Sequence, residues 1–381
     1  MKVMALFAGS SRVTYLLASA IILFASCDNL ATNTEDDSLS DFLPASEVIS
    51  NMDAGFNLGN TFDNGYNATD SYENAQLILL YKSAGMKHIR IPVTWMEGFG
   101  GDALADEKGE VNFNHPRFLE LKKTIDFALQ QGLYVIINAH HERHFKEHYD
   151  NSAEFDEKFT TLWTDIANYF IEYDQKLVFE LLNEPEGAFG QMGGPVLHND
   201  PVAIGYTRKI MRIGTEAVRS TGGNNEKRII MLGTNSWGNH NQIFSNYPDQ
   251  ASLPGNGSDE YLAIQVHSYD PWEFCGQEGE NSAYPGDQAT ASRMREVAAH
   301  GRALGVPLHY GEFGVGRRED QAQRNTILVR DYYRTVVQTA KAEGMASAAW
   351  DDRGWFGLTN GDAEQGFSFT YGIVPHMLEK P

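Results

Sequence analysis

Two glutamates follow apolar runs of the kind that form buried strands. Glu184 lies near the end of 177-LVFELLNEP-185, and Glu312 lies in 307-PLHYGEFG-314. A turn after a strand uses Asn or Pro but does not need a carboxylate, so an acid at this position suggests that its charge is used. Two carboxylates across a neutral cleft can cleave a glycosidic bond, because one donates a proton to the leaving oxygen while the other attacks. We therefore predict that Glu184 and Glu312 are catalytic.

Polar and aromatic residues also follow the other apolar runs. Singly, each would be an ordinary turn or cap residue, but their presence at nearly every predicted strand end indicates one shared opening. Arg90, if it lies near Glu312, would keep that carboxylate charged, and Trp350 offers a flat face to a sugar ring. The whole set is Asn60, Arg90, His140, Asn183, Asn235, His267, Tyr269 and Trp350.

The apolar runs alternate with longer segments of helical period, which is typical of parallel strands joined by helices. The predicted strands are 55–60, 88–95, 133–141, 177–184, 228–235, 261–269, 307–314 and 345–350. The predicted helices are 73–85, 117–132, 158–173, 205–220, 290–305 and 326–344. This alternation predicts the α/β class and a single (β/α)8 TIM barrel, whose strands direct their C-terminal ends to one mouth. A doubly wound open sheet is the alternative, but the sequence contains no Gly-rich phosphate loop.

The beginning of the chain predicts export. Lys2 and Arg12 precede the apolar run 15-YLLASAIILFA-25, which is too short for an ordinary transmembrane helix and fits a signal peptide. Its ending, 25-ASC-27, resembles a bacterial lipoprotein signal, in which the cysteine becomes the lipidated first residue. We therefore predict a signal peptide at 1–26, lipidation of Cys27 and anchoring at the outer membrane or cell surface. A secreted or periplasmic protein without lipid is the alternative.

The predicted signal is followed by a short acidic tether over residues 27–44 and by the catalytic domain over residues 45–381. If Cys27 carries lipid, only Cys275 remains, so no internal disulfide can form. The chain has 51 acidic and 30 basic residues and a net charge of −21, which disfavours nucleic acid and anionic membrane surfaces as partners. We expect a monomer that meets the membrane only through the lipid anchor.

Seven short motifs together resemble glycoside hydrolase family 5, the cellulase family of retaining (β/α)8 glycosidases. The resemblance covers about residues 45–378. Each motif is weak alone, but their order and their positions at strand ends are specific. The motifs are 55-GFNLGNTFD-63, 90-RIPVTW-95, 140-HHE-142, 183-NEP-185, 267-HSY-269, 311-GEFG-314 and 350-WDDRG-354.

The resemblance implies a role for each matching residue. Glu184 would be the acid/base and Glu312 the nucleophile, while Asn183 would hold the 2-hydroxyl of the sugar in subsite −1. Tyr269 and Arg90 would donate hydrogen bonds to the nucleophile. His140 and His267 would orient the sugar and the acid/base, and Trp350 would form the floor of subsite −1.

Further substrate contacts are predicted from residue type and position. Asn60 follows the first strand, and Trp237 and Trp272 lie just past other strand ends, where flat rings suit the apolar faces of sugars. The expected partner is a β-linked polysaccharide or oligosaccharide, and no cofactor or metal is predicted.

Several stretches look most like the endo-β-1,4-glucanase and xyloglucanase subfamily, which implies a retaining endo-β-1,4-glucanase. They are 134-YVIINAHHE-142, 178-VFELLNEP-185 and 221-TGGNNEKR-228. Two departures weaken the choice of substrate: Glu186 stands where Arg is expected, and 350-WDDRG-354 differs from the usual Trp-Asp-Asn-Gly.

Three alternatives stay open. An endo-β-1,4-mannanase or glucomannanase of the same family would use the same catalytic pair. A surface glycan-binding lipoprotein would have kept the fold and lost catalysis. A metal site in 140-HHERHFKEH-148 is disfavoured because Glu147 is not at the position that a zinc-protease helix requires, so we expect a solvated, charged loop there.

Overall fold

The computed structural model describes residues 42–99, 101–190 and 195–379. The described ranges do not include the predicted signal peptide or residues 27–41 of the tether, among them Cys27. What the sequence predicts for these residues remains a prediction. Within the described ranges, none of the helices is both long and apolar enough to cross a membrane.

Eight parallel strands close into a barrel in chain order, with β1 pairing with both β2 and β8. All eight predicted strands are present and the (β/α)8 prediction is confirmed. Most observed strands are shorter than the predicted runs, because the polar residues at the ends of those runs belong to the loops. The strands are β1 Ala54–Asn57, β2 His88–Ile91, β3 Tyr134–Asn138, β4 Leu177–Glu180, β5 Ile230–Leu232, β6 Leu262–Ser268, β7 Leu308–Phe313 and β8 Ala346–Ala349, followed by a hairpin of β9 Thr359–Asp362 and β10 Gly366–Phe369.

The six predicted helices are also present, most of them beginning a few residues before the predicted start. The helices are α1 Ala45–Met52, α2 Ser71–Ala84, α3 Pro116–Gln130, α4 Arg143–His148, α5 Ala153–Tyr169, α6 Pro201–Ser220, α7 Asn235–Gly238, α8 Ile243–Asn246, α9 Trp272–Cys275, α10 Asp287–Leu304, α11 Ile327–Ala342 and α12 Ile373–Met377. The first of these was not predicted; its apolar face packs in a cluster with Ile136, Val178 and Met231 of the strands.

The ends of α2 show how the sequence sets helix boundaries. The Asp70 side chain accepts hydrogen bonds from the backbone N–H groups of Tyr72 and Glu73, which satisfies donors that a helix start leaves free. At the other end Gly85 has φ +106°, a left-handed conformation in which glycine meets no Cβ penalty.

The barrel interior is polar near its mouth. Arg90 on β2 contacts Glu180 on β4 and Glu312 on β7, and these strands are not neighbours, so the contacts cross the interior. Near the N-terminal ends of the strands, opposite the mouth, His88 on β2 meets His309 on β7, with 3.0 Å between their Nε2 atoms. The larger apolar core lies between the strands and the surrounding helices, where Val, Ile, Leu and aromatic residues pack, and a smaller apolar cluster joins α1 to the strands.

The prediction of a solvated loop over residues 140–148 is wrong. This segment contains α4, and its Phe145 and Lys146 are buried. Glu142 is also buried, and its carboxylate accepts hydrogen bonds from the backbone N–H groups of Trp95 at 2.7 Å and Met96 at 2.9 Å. The sequence shows many charged residues in this segment but not which of them are buried. The donors that satisfy the buried Glu142 carboxylate come from the loop after β2.

Candidate active site

The two predicted catalytic carboxylates meet at the mouth of the barrel. One oxygen of Glu184, one of Glu312 and one ring nitrogen of His267 lie within 4.8 Å of one another. Glu312 lies within β7, whereas Glu184 follows β4 and has φ +46°, an uncommon conformation for a residue with a side chain. The Glu184 side chain is 27% exposed and that of Glu312 only 7%, so Glu184 is the one that solvent and a leaving group reach more easily.

Glu312 is held from two sides by hydrogen-bond donors. Arg90 Nη1 donates to Oε1 at 2.7 Å, and the Tyr269 hydroxyl donates to Oε2 at 3.1 Å. Burial raises the pKa of Glu312, and the nearby His267 and Arg90 oppose that rise. The two donors fix the carboxylate in position and stabilise its ionised form.

Arg90 serves a second carboxylate that sequence reasoning missed. Its guanidinium donates to both oxygens of Glu180, at 2.6 and 2.7 Å, and both side chains are fully buried. It also donates to Asn57 Oδ1 and Asn183 Oδ1. Arg90 lies beside Glu312, as expected. Its positive charge is also paired with Glu180, so Arg90 does not act on Glu312 alone. The sequence contained one sign of this ion pair, which is the single acidic residue Glu180 within the apolar run of β4.

Glu184 has a different set of partners. His267 Nδ1 lies 2.9 Å from Glu184 Oε1, and the Gln265 amide nitrogen lies 2.8 Å from His267 Nε2. If the amide donates to Nε2, the proton of the neutral imidazole is on Nδ1, which can donate it to Glu184. Burial lowers the pKa of His267 to about 4, so the ring is neutral near pH 7.

The pKa of Glu184 is raised to about 7, chiefly by burial, while Lys146 opposes the rise and Glu186 adds to it. Lys146 is the second residue that sequence reasoning missed. It is buried on α4, and its amine donates to the backbone oxygen of His140 at 2.9 Å. A carboxyl with a pKa near 7 can hold a proton and release it at neutral pH, which is what a general acid needs.

His140, Asn183 and Trp350 form one wall beside the carboxylates. The rings of His140 and Trp350 stand parallel, with centroids 6.0 Å apart. The Asn138 amide contacts His140 Nδ1 at 3.1 Å, and the Asn183 amide lies 3.5 Å from its Nε2. Burial lowers the pKa of His140 well below its ordinary value, so this wall presents a neutral ring, an indole and an amide.

The other predicted substrate contacts occupy the rim. Asn60 lies in the turn after β1, where its side-chain oxygen accepts a hydrogen bond from Asn64 at 2.6 Å, so that oxygen is partly engaged in the turn. Trp237 in α7 and Trp272 at the start of α9 are both partly exposed. The Trp272 ring meets the ring of Tyr269 edge-on at 6.3 Å, which connects it to the site.

The Asn235 side chain is engaged by other loops and does not contact either carboxylate among the described residues. Its amide donates to the backbone oxygens of Phe189 and His198, so it ties loops together. The sequence could not distinguish this role because Asn at a strand end serves both turns and ligands.

The described residues contain two groups that place three potential metal-ligand atoms within 4.8 Å. One is the catalytic group itself, and the other consists of Asp63, His140 and His141. His144 and His148 of the competing metal hypothesis belong to neither, and their rings stack on each other at 4.3 Å. Among the described residues, none donates a hydrogen bond to the buried oxygens of Asp63, although His141 Nε2 lies 3.4 Å away.

A family model described as cellulase (glycosyl hydrolase family 5) matches residues 51–353. The chain belongs to this family. Family 5 members are glycoside hydrolases, and the matched span contains both glutamates and every residue that contacts them.

Similar proteins point the same way. The chain is 28% identical over 383 residues to endoglucanase A of Clostridium longisporum, covering 94% of this chain and 67% of that one. It is 28% identical over 319 residues to endoglucanase H of Acetivibrio thermocellus, covering 83% of this chain but only 31% of that longer protein. A solved structure, a broad-specificity endoglucanase from Clostridium longisporum, superposes with a TM-score of 0.71 at 25% identity, covering 88% of this chain and 97% of that one.

Proposed function

We propose that this family 5 enzyme is a retaining endo-β-1,4-glucanase that hydrolyses internal bonds of β-glucans by double displacement. The observation that carries the proposal is the close pair of unlike carboxylates, with oxygens within 4.8 Å. Carboxyl groups about 5–5.5 Å apart suit a covalent intermediate, whereas inversion needs about 6.5–9.5 Å to admit a water between them.

In the first step Glu312 attacks the anomeric carbon while Glu184 gives its proton to the glycosidic oxygen that leaves. Arg90 and Tyr269 orient the attacking oxygens. In the second step the now ionised Glu184 takes a proton from water, and that water displaces Glu312 from the sugar. His267 donates to the Glu184 carboxylate when it is ionised, which stabilises that state between the two steps.

The choice of β-glucan is supported by the relatives, which are endoglucanases. A β-1,4-mannanase or glucomannanase would use the same carboxylates, so specificity depends on the rim of the cleft. Rates on cellulose, mixed-linkage glucan, xyloglucan and glucomannan decide among them. A clear preference for mannan would contradict the glucanase proposal.

Catalysis is favoured over simple glycan binding because both carboxylates are present with complete sets of partners. The test is NMR of the first products released from a soluble β-glucan. A retaining enzyme releases the β-anomer first, and the α-anomer appears only later by mutarotation. Initial α-product would contradict the mechanism, and no reducing sugar at all would favour the binding protein.

We also propose that the enzyme acts outside the cytoplasm as a monomer anchored by lipid at Cys27. The support is the apolar run that ends in 25-ASC-27. A Cys27→Ser variant should move from the membrane fraction to the soluble fraction of its host with unchanged hydrolase activity. A wild-type protein that is already soluble there would contradict the anchor.

A further inference from the structure

Gln265 and His267 lie two residues apart on β6, so their side chains point to the same face of the strand. Both residues are only 3% exposed. The amide nitrogen of Gln265 lies 2.8 Å from His267 Nε2, and the other ring nitrogen, Nδ1, lies 2.9 Å from Oε1 of Glu184. One imidazole ring therefore connects a buried amide to the proposed acid/base.

The carboxyl groups around Nδ1 indicate where the ring proton lies. Besides Glu184 at 2.9 Å, Oε2 of Glu312 lies 3.8 Å from Nδ1. A lone pair on Nδ1 would face the ionised Glu312, whereas an N–H group there is attracted by both carboxyls. Nε2 of the neutral ring is then unprotonated, so a donor such as the amide NH2 group of Gln265 fits against it.

The backbone makes room for this amide beside the proposed nucleophile. A Cβ at Gly311, directly before Glu312, would stand 2.0 Å from Nε2 of Gln265, so a larger residue there would displace the amide. The amide oxygen of Gln265 has no hydrogen-bond partner among the residues that the structure describes. Within the described ranges, the contact with His267 is therefore the one hydrogen bond of this side chain.

The position of the ring proton matters because Glu184 must give its own proton to the leaving oxygen. When Nδ1 carries the hydrogen, the ring donates to Oε1 of a protonated Glu184, and the carboxyl proton stays on Oε2 for the substrate. An unprotonated Nδ1 would instead accept the proton of Glu184 and hold it away from the glycosidic bond. A donor at Nε2 excludes that arrangement, because Nε2 would then need a hydrogen of its own.

We propose that Gln265 is a positioning residue that keeps Nε2 of His267 unprotonated, so that the catalytic proton stays on Glu184 and passes to the leaving oxygen. Gln265 acts through His267 and does not itself meet the substrate. The proposal rests on the proposed glucanase mechanism, in which Glu184 is the acid.

Other titratable groups also act on His267, and a substitution at position 265 leaves all of them in place. Burial is the main cause that lowers the pKa of His267 to about 4. The groups around the ring are Glu184 after β4, Glu312 and His309 on β7, Arg90 on β2, Glu180 on β4, His140 after β3 and Lys146 on α4.

Gln265→Glu keeps the shape of the side chain and replaces the donor by an acceptor. A carboxylate there draws a proton onto Nε2, so the ring takes the proton of Glu184 or becomes an imidazolium. We expect kcat/KM on cellotetraose to fall at least about tenfold, as part of the 10²–10⁴-fold that a general acid supplies. On dinitrophenyl β-cellobioside, whose leaving group needs little protonation, kcat/KM should stay within about threefold of wild type.

The pH profile gives a second measurement on the same variant. An imidazolium beside Glu184 favours its ionised form, and the acid works only while protonated. The alkaline limb of kcat/KM on cellotetraose should therefore move to lower pH in Gln265→Glu.

Gln265→Met separates this role from packing. Met has nearly the length of Gln but is only a weak acceptor and no donor, so the carboxyls alone then set the ring proton. Its loss on cellotetraose should be smaller than that of Gln265→Glu. Gln76→Met is the matched control, because Gln76 is half-buried on α2 and its amide donates to the backbone oxygen of Ala363; it should change neither the alkaline limb nor the ratio of the two substrates.

NMR can observe the ring proton directly. With ¹⁵N-labelled histidine, correlations between ring protons and ring nitrogens distinguish a hydrogen on Nδ1 from one on Nε2, and a His267→Gln variant identifies the signals of His267. Wild type should show a neutral ring protonated on Nδ1. Gln265→Glu should show a ring protonated on Nε2 or on both nitrogens.

A wild-type ring protonated on Nε2 would overturn the proposal, and this spectrum decides even if a variant does not fold. Equal losses in Gln265→Met and Gln265→Glu on both substrates would overturn it as well, because Gln265 would then serve packing alone. A wild-type enzyme that cleaves neither substrate would instead contradict the glucanase function, whatever the spectrum shows.

Discussion

The two carboxylates proposed as catalytic stand in regions built in different ways. Glu312 lies within a strand, and its partner Arg90 belongs to a fully buried set of ion pairs and amide contacts inside the barrel. Glu184 follows a strand in a left-handed conformation. Its hydrogen-bond partner His267 comes from β6, whereas the charged neighbours that shift its pKa, Lys146 and Glu186, come from α4 and the loop after β4. The proposed nucleophile is thus held by an ion pair inside the barrel, whereas the proposed acid stands at the rim, between His267 of β6 and charged residues outside the strands.

This difference matches what each step requires. A nucleophile must stay ionised and aligned with one carbon, which buried donors on strands ensure. An acid/base must gain and lose a proton in every cycle and must reach water, so it benefits from exposure and from a pKa near the working pH. The following variants test whether the two regions really do these separate tasks.

The largest effect is expected from Glu312→Ala, which removes the covalent step. Hydrolysis of every substrate should fall by at least about 10⁴-fold, because no other group described here is positioned to attack. Initial rates on polysaccharide and on an activated aryl glycoside measure it. Added azide should give α-glycosyl azide if any product forms, and a β-product would assign the nucleophile elsewhere.

Glu184→Ala should have a large but selective effect. Loss of proton donation should lower the rate on polysaccharide by about 10²–10⁴-fold, whereas an aryl glycoside with a good leaving group should lose far less. Azide should rescue the aryl substrate and give β-glycosyl azide, because a small anion replaces the missing base in the second step. Equal losses on both substrates would contradict the assignment.

Arg90→Ala tests the buried side of the comparison. It leaves Glu180 as an unpaired buried charge, so the free energy of unfolding should fall by about 3–5 kcal/mol, measured by urea denaturation. Removal of the exposed pair through Arg212→Ala should cost less than about 1 kcal/mol, because Arg212 and Glu216 are 48% and 62% exposed. Similar losses of unfolding free energy in the two variants would show that the buried ion pairs of Arg90 do not stabilise the fold as one set.

The same set predicts opposite shifts of the acidic limb of kcat/KM against pH. Arg90→Ala should move the acidic limb to higher pH, because Glu312 loses a cation that favours its ionised form. Glu180→Gln should move the acidic limb to lower pH, because Arg90 then becomes an uncompensated cation beside Glu312. Shifts in the same direction would mean that Glu180 acts on packing alone.

The smallest effect is expected on the alkaline limb, at the acid/base. The pKa of Glu184 is raised to about 7, and the acid works only while protonated, so kcat/KM should fall as pH rises through about 7. Lys146 lowers this pKa, so Lys146→Met should move the limb to higher pH. Lys82→Met, on the outer surface of α2, should not move it, and an unmoved limb in Lys146→Met would place the amine too far away to matter.

The barrel could be predicted, and the pair of glutamates could be proposed as catalytic, because the signals for both are local. Each strand is a short apolar run, each helix has its own period and caps, and an acid after a buried run is visible in one stretch of sequence. Closure of eight such units then brings Glu184 and Glu312 together without further information, since parallel strands share one mouth.

The partners of the catalytic residues could not be predicted in this way. Glu180 looked like part of an apolar strand, and Lys146 like one charge among many on a solvated loop. Glu180 pairs with Arg90, which is 90 positions earlier in the sequence. Lys146 acts on Glu184, which is 38 positions later (184 − 146). Only barrel closure brings these residues near one another.

The sequence by itself determined the eight strands, the six long helices and the barrel, and it supplied the proposal for the two acids, because these follow from periodicity and residue type. The tertiary structure alone decided which charges are buried and which are balanced. Desolvation and pairing energies depend on three-dimensional neighbours. The raised pKa of Glu184, the ion pair between Arg90 and Glu180 and the hydrogen bond from Trp237 to Glu186 therefore arise only when the chain is folded.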